Sequence, residues 1–143
     1  MRHRWQGWAA DGTLQLTGPA GDIRIKPDAT VLALGGASWP KLGSDGSWVA
    51  LLEAQGVHTS TLQSANCGFE ANWSALLQQK FSGEPLKSIA IAFTDHAGQT
   101  HQRQGECIVS REGMEGSLIY ALSRPLRETI NANGRATFTI DLT

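Results

Sequence analysis

The feature that most constrains this fold is the stretch "TVLALGGASWPKLGSDG". Val31, Leu32, Ala33 and Leu34 are continuously apolar, and Gly35 and Gly36 close the run. Apolar residues on both alternate faces predict a strand covered on both sides, as in a parallel sheet. After Gly46 the period changes: Trp48, Leu51 and Leu52, with small Ala50 and Ala54, predict an amphipathic helix. Ser44 or Asp45 is placed to cap its start and Gly56 its end. "VHTSTL" then reads as a short strand. The order strand, glycine-rich turn, helix, strand is that of a βαβ-like unit. So bare a turn is either a plain connection or a place where another group lies close against the backbone.

The segments around this unit predict antiparallel structure. "RWQGWAADGTLQLTG" has two short apolar-polar runs about Asp11-Gly12, a hairpin signal, and "GDIRIKP" extends it to a three-stranded meander. In the third strand Ile23 and Ile25 share one face, Arg24 and Lys26 the other. From about Gln63 the character shifts. "SALLQQKF" predicts a short helix capped by Ser74, and "LKSIAIAFTD" alternates Ile89, Ile91 and Phe93 on one face. "AGQTHQRQGECIVS" reads as a second hairpin and strand. "GSLIYALSRPLRETINANG" predicts a helix bent near Pro125, which lacks an N–H and clashes with the preceding turn. "RATFTIDLT" predicts a last strand with Ala136, Phe138, Ile140 and Leu142 on one face. A soft compositional boundary falls between residues 63 and 72. The chain opens and closes in strand patterns, which reads as an internal fragment of something larger.

Charge and composition exclude several classes. Twelve basic against thirteen acidic residues give a formal net charge of −1, without the basic excess of nucleic-acid modules. No segment approaches the roughly 20 apolar residues of a membrane span, and "MRHRWQGW" is no signal peptide. A cytoplasmic protein is expected. Cys67 and Cys107 lie far apart without a CxxC partner, so no zinc site is expected and reduced thiols are.

Few residues carry a chemical signal. Glycines 35, 36, 43 and 46 surround a helix start, where free N–H groups suit phosphate, but the pattern is neither GxGxxG nor a Walker A loop. Asp45 opposes an anion at that helix. Ser38, in "GASWP", is no hydrolase elbow. His3, His58, His96 and His101 are scattered and read as surface histidines, and Cys107 as a buried small hydrophobe. Trp5, Trp8, Trp39, Trp48 and Trp73 could stack bases, but the charge balance favours packing. In "SREGMEGSLIYALS", Gly113 and Gly116 feed a second helix start with Ser117 as the expected cap.

In succession, "VLALGGASWPKLGSDGSW", "SANCGFEANW", "GEPLKSIAIAF", "GECIVSREGMEGSLIYALS" and "IDLT" resemble blocks of one family, the BaiN/YhiN-type NAD(P)/FAD-dependent oxidoreductases of bacteria. The likeness covers nearly the whole chain. It implies an α+β and α/β organisation: residues 1–68 as part of a two-dinucleotide-binding FAD domain, meander plus strand-turn-helix, and residues 69–143 as part of an inserted β-barrel-like domain. The family's "ATGG"-like strand corresponds here to Ala33-Leu34-Gly35-Gly36. By resemblance, Gly35, Gly36, Ala37, Ser38, Trp39 and Gly43 lie near the flavin, with FAD as the parent's cofactor and NAD(P)H as a candidate reductant. The family's GxGxxG unit has no counterpart in this sequence, so the chain alone is expected to be inactive and to hold FAD poorly. No catalytic acid or base is assigned. The competing reading is a stand-alone, non-enzymatic β-rich binding or interaction module.

Overall fold

A computed structural model describes residues 2–142. It is a mixed α+β structure with two antiparallel sheets, and the chain divides into two compact units, Met1–Gln63 and Ser64–Thr143.

In the first unit, β1 (Arg4–Trp8), β2 (Leu14–Gly18) and β3 (Gly21–Ile25) form the expected meander, in that order. The turn at Asp11 is fixed by its carboxylate, which accepts from the Thr13 hydroxyl at 2.7 Å and the Thr13 N–H at 3.1 Å. Leu14 faces Ile25 and Leu16 faces Ile23 across β2–β3, yet both isoleucines remain about two-fifths exposed, at 45% and 40%. Trp5 and Trp8 meet edge to face at 4.8 Å. The helix predicted after Gly46 is α1 (Trp48–Glu53). Leu51 packs against Gly7 of β1, where a Cβ would sit 3.5 Å from the leucine.

The strand predicted over residues 30–34 does not form. The segment is unpaired, Val31 is 91% exposed and Leu32 40%. A run apolar on both faces holds as a strand only when neighbours supply hydrogen bonds and cover both faces; among the described residues none pairs with it. "VHTSTL" is likewise irregular rather than a strand. The βαβ-like unit is therefore reduced to its turn and its helix.

The second unit holds the core. β4 (Phe69–Glu70), β5 (Pro85–Thr94), β6 (Thr100–Val109), β7 (Gly113–Glu115) and β8 (Thr139–Asp141) form an antiparallel sheet in the order β4-β7-β6-β5-β8, which is open. Ile89, Ile91 and Phe93 point inward as their alternation predicts, and they pack with Cys107, Met114, Leu118, Ile119, Leu122 and Leu126. One irregularity sets the phase of β5. Leu86 pairs with Cys107 and Ile89 with Gly105, so Lys87 and Ser88 on one strand stand opposite Glu106 alone on the other and an extra residue bulges out. Ser88, at φ +54°, takes up the strain. The bulge brings Leu86 to the same side as Ile89, and both contact the core.

α1 does not take its expected caps: it starts from Ser47 rather than Ser44 or Asp45 and ends at Ala54 rather than Gly56. The next helix and the last follow their sequence signals. α2 (Ala75–Phe81) is capped by Ser74, whose hydroxyl accepts from the Leu77 N–H at 3.3 Å. α3 (Ser117–Ala121) and α4 (Ser123–Asn133) are one predicted helix broken at Leu122. Pro125 has no N–H to give Ala121, and its ring clashes one turn back, so the helix restarts instead of continuing. Gly134, in the left-handed conformation at φ +74°, ends α4.

Candidate functional site

The loop expected near a flavin runs from Gly35 to Gly46. Gly35 has φ +74° and lies against Ser44, whose Oγ would be 2.6 Å from an added Cβ. Gly36 lies outside the left-handed region, and a Cβ there meets nothing within 4 Å. Ala37 holds φ +59°, unusual for a residue with a side chain, and its methyl packs against Gly46. Ser38 is exposed, and Trp39 is 61% exposed. Trp39 and Ser44 exchange two backbone hydrogen bonds of 3.2 Å around a single 3-10 turn, Pro40–Leu42, which Gly43 closes at φ +90°. Gly35, Ala37, Ser44 and Gly46 are thus brought together; Gly36, Ser38 and Trp39 face outward.

Two features of this loop stand out. The Cα face of Gly36 is open, and the buried Ser44 Oγ makes no hydrogen bond among the described residues. The helix start offers a diphosphate no open site. α1 is only six residues long. Its start is occupied by Asp45, which accepts from the Ser47 N–H at 3.0 Å and from the Arg4 guanidinium at 3.0 Å. Those hydrogen bonds, Ser47 first and then the Arg4 charge, hold the Asp45 carboxyl below the usual carboxylate range. An anionic side chain there repels phosphate and consumes the available cation. The loop leaves the backbone of Gly36 uncovered, and the start of α1 offers no built site for the diphosphate of FAD.

In the second unit the glycines of "REGMEG" have a structural use that spacing did not reveal. A Cβ on Gly113 would fall 1.9 Å from the Phe69 carbonyl oxygen and 2.8 Å from Glu70 Cα, so only glycine lets β4 lie against β7. Gly68 is similarly held, with an added Cβ 2.8 Å from the Met114 carbonyl oxygen. Gly116, at φ +104°, starts α3 directly over Cys107. Ser117 is not the cap; its hydroxyl donates to the Glu106 carbonyl at 3.3 Å, which ties α3 to β6.

The same close approach builds a cleft of about 920 Å³ that sequence reasoning missed. Its walls are residues 68–73 and 134–138 with Ile140, and its floor includes Met114, Ile119 and Leu126. Trp73 is fixed in one wall by its indole N–H, which donates to the Gly113 carbonyl at 3.0 Å. The lining is chiefly apolar, with Glu70 and Arg135 as its charged members. Its two walls lie more than sixty residues apart in sequence, so no local pattern could have announced it.

Nearby polar groups are structural. Ser123 is fully buried: its hydroxyl donates to the carbonyls of Cys67 (3.1 Å) and Ile119 (3.2 Å), and accepts from the Cys67 N–H (3.2 Å). Asp95 accepts from the N–H groups of Ala97 and Gln99, both at 2.9 Å, and pairs with His101 Nε2 at 2.7 Å. His101 stacks on Phe93, with ring centroids 5.0 Å apart, so it is a turn-locking residue and not a loose surface histidine. Cys67 and Cys107 are both free thiols; Cys107 is buried as expected, and burial pushes its thiol up. Among the described residues no group of His, Cys, Asp and Glu is arranged to hold a metal ion, and no helix is long and apolar enough to cross a membrane.

Comparison with known proteins agrees with the second unit. The family model for the HI0933-like protein barrel and H2TH domain matches residues 63–143, more than half of the chain. No curated protein and no solved structure matches. The five-stranded antiparallel sheet, with helices against its core, is compatible with a part of such a barrel domain. The chain belongs to the HI0933-like family, in the HI0933/BaiN-type flavoprotein region, and residues 63–143 carry that family's barrel and H2TH domain.

Proposed function

We propose that this chain is part of an FAD-dependent flavoprotein oxidoreductase, with NAD(P)H as the candidate reductant. In that reading residues 1–68 contribute to the FAD-binding domain and residues 69–143 to the inserted domain. The observation that carries it is the family match over residues 63–143. The first unit supports it: residues 30–34 have the composition of a doubly covered strand but no partner among the described residues, as expected of a strand whose neighbours belong to the rest of a dinucleotide-binding sheet. When bound, FAD would supply the electron transfer. This chain's contribution is positional. In the Gly35-Gly36-Ala37 backbone only Gly36 leaves open space beside it, since Ser44 lies against Gly35 and Gly46 against the Ala37 methyl. No catalytic acid or base is assigned, and the protein is placed in the cytoplasm.

The test is an FAD titration, read by flavin fluorescence quenching, on this chain and on the intact protein that contains it. The intact protein is expected to bind flavin and the chain alone to bind it far more weakly, because the GxGxxG unit that seats a diphosphate has no counterpart in this sequence. Gly36→Val isolates the site. Its Cβ meets open space, so folding is preserved, while the branched side chain blocks close approach to the backbone. A loss of about tenfold in FAD affinity in the intact protein is expected, about 1.4 kcal/mol. Unchanged affinity removes Gly36 from the flavin's surroundings, and an intact protein without affinity for flavin overturns the assignment.

A further inference from the structure

Every apolar side chain that the fold covers almost completely lies between Ile89 and Leu126. Ile89, Ile91, Ile119 and Leu126 are each 2% exposed or less and belong to one continuous core of the second unit. The first unit differs. Among its described residues only Gly7 is buried, and a glycine brings no side chain. Large apolar residues stand in solvent there: Leu42 is 82% exposed, Val57 47% and Leu62 45%. Three buried polar atoms that lack a hydrogen bond among the described residues also lie in it, Trp5 Nε1, Ser44 Oγ and Trp48 Nε1. Scant apolar burial leaves the entropy of ordering poorly opposed, and unsatisfied polar groups add to the cost. We propose that the first unit is conditionally ordered: it opens in an event of its own while the second unit stays folded.

Size points the same way. A unit below roughly 70–80 residues needs a dense core, a disulfide or a metal to stand firmly alone. Both cysteines lie in the second unit as free thiols, and no His, Cys, Asp and Glu group among the described residues is arranged for a metal. The order of the first unit rests on the β1–β2–β3 ladder and on Leu51 against Gly7. A meander whose third strand is exposed throughout is a weak hold. Ligand-binding loops are drawn from the low-stability end of a structure, and the loop from Gly35 to Gly46 lies in this unit. A ligand that binds only the ordered form stabilises it, so seating the ligand and ordering the unit become one event. The inference rests on burial and not on the flavin reading, so a failed flavin titration leaves it standing.

The test is amide hydrogen exchange of the full chain, followed residue by residue without ligand. The slowest amides of β1, β2 and β3 are expected to exchange at least about a hundredfold faster than the slowest amides of β5 and β6; a smaller difference overturns the proposal. A urea titration reads the same hierarchy through side chains. Trp5, Trp8, Trp39 and Trp48, four of the five tryptophans, lie in the first unit, and buried Cys107 lies in the second. Tryptophan fluorescence is expected to change at lower urea than thiol labelling of Cys107, and coincident midpoints overturn the proposal. Leu51→Asp places a charge against Gly7 of β1. It is expected to abolish the remaining protection of the meander and to leave the Cys107 midpoint where it was. A midpoint that moves with this substitution makes the two units fold as one and overturns the proposal as well.

Discussion

Gly113→Ala tests the physical account of the second unit most sharply, because one methyl group meets fixed backbone. The added Cβ would lie 1.9 Å from the Phe69 carbonyl oxygen and 2.8 Å from Glu70 Cα. Neither atom is the end of a flexible side chain, so β4 must leave β7. The displacement breaks the Ala71 N–H to Glu112 carbonyl bond of 2.8 Å and the Trp73 indole bond to Gly113 of 3.0 Å. Each contributes about 1 kcal/mol net. Phe69 and Trp73, both half-buried against the core, lose part of their packing, about 1 kcal/mol each when half of a full burial is counted. The total is about 3–4 kcal/mol. For a unit of this size each kcal/mol shifts Tm by roughly 4–8 °C, so a fall of at least about 12 °C is expected. Thermal unfolding followed by circular dichroism reads it, with Gly36→Ala, at a residue outside the left-handed region that faces open space, as a control for the glycine-to-alanine change alone. If Gly113→Ala melts within about 3 °C of the parent chain, a shift below 1 kcal/mol, the close approach of β4 to β7 is wrong, and with it the cleft's first wall.

Other outcomes follow from the same structure. Ser123→Ala leaves the N–H and carbonyl of half-buried Cys67 without their partner at the core's edge, and a loss of about 1–3 kcal/mol is expected in denaturant unfolding; a loss below about 0.5 kcal/mol would contradict that role. Asp95 is held below the usual carboxylate range, first by its hydrogen bond to His101 and then by the Gln99 N–H. A depressed carboxyl stabilises the fold above its unfolded value, near pH 4, and that contribution disappears as pH falls through the lower folded value. Asp95→Asn should therefore flatten the acid limb of the stability–pH curve, and an unchanged limb would show that Asp95 does not contribute. A thiol reagent should label Cys67 quickly and Cys107 only on unfolding, since Cys107 is buried and its thiol is pushed up; two fast thiols per folded chain would refute the burial.

Local signals were legible wherever a single residue or a short period decides the conformation. Asp11-Gly12 announced its hairpin, Ser74 its cap, Pro125 its break, and Ile89, Ile91 and Phe93 their shared face. Contacts between distant segments were not. Gly113 read as a turn residue because the Phe69 carbonyl that excludes a side chain lies more than forty positions away. The bulge at Ser88 was invisible because it shows only when Leu86 and Ile89 are set against Cys107 and Gly105. Residues 30–34 carry the composition of a doubly covered strand, and composition cannot supply the strands that would cover it. The cleft joins residues 68–73 to residues 134–140, a juxtaposition made by the fold alone.

Membership of the HI0933-like family makes this chain part of a flavoprotein-family protein. The measurement that tests it most directly is the flavin content of the intact protein that contains the chain, purified gently and without added cofactor. A yellow protein that releases FAD on denaturation, about one per chain, is expected. A colourless protein that neither releases FAD nor takes it up from solution would contradict it.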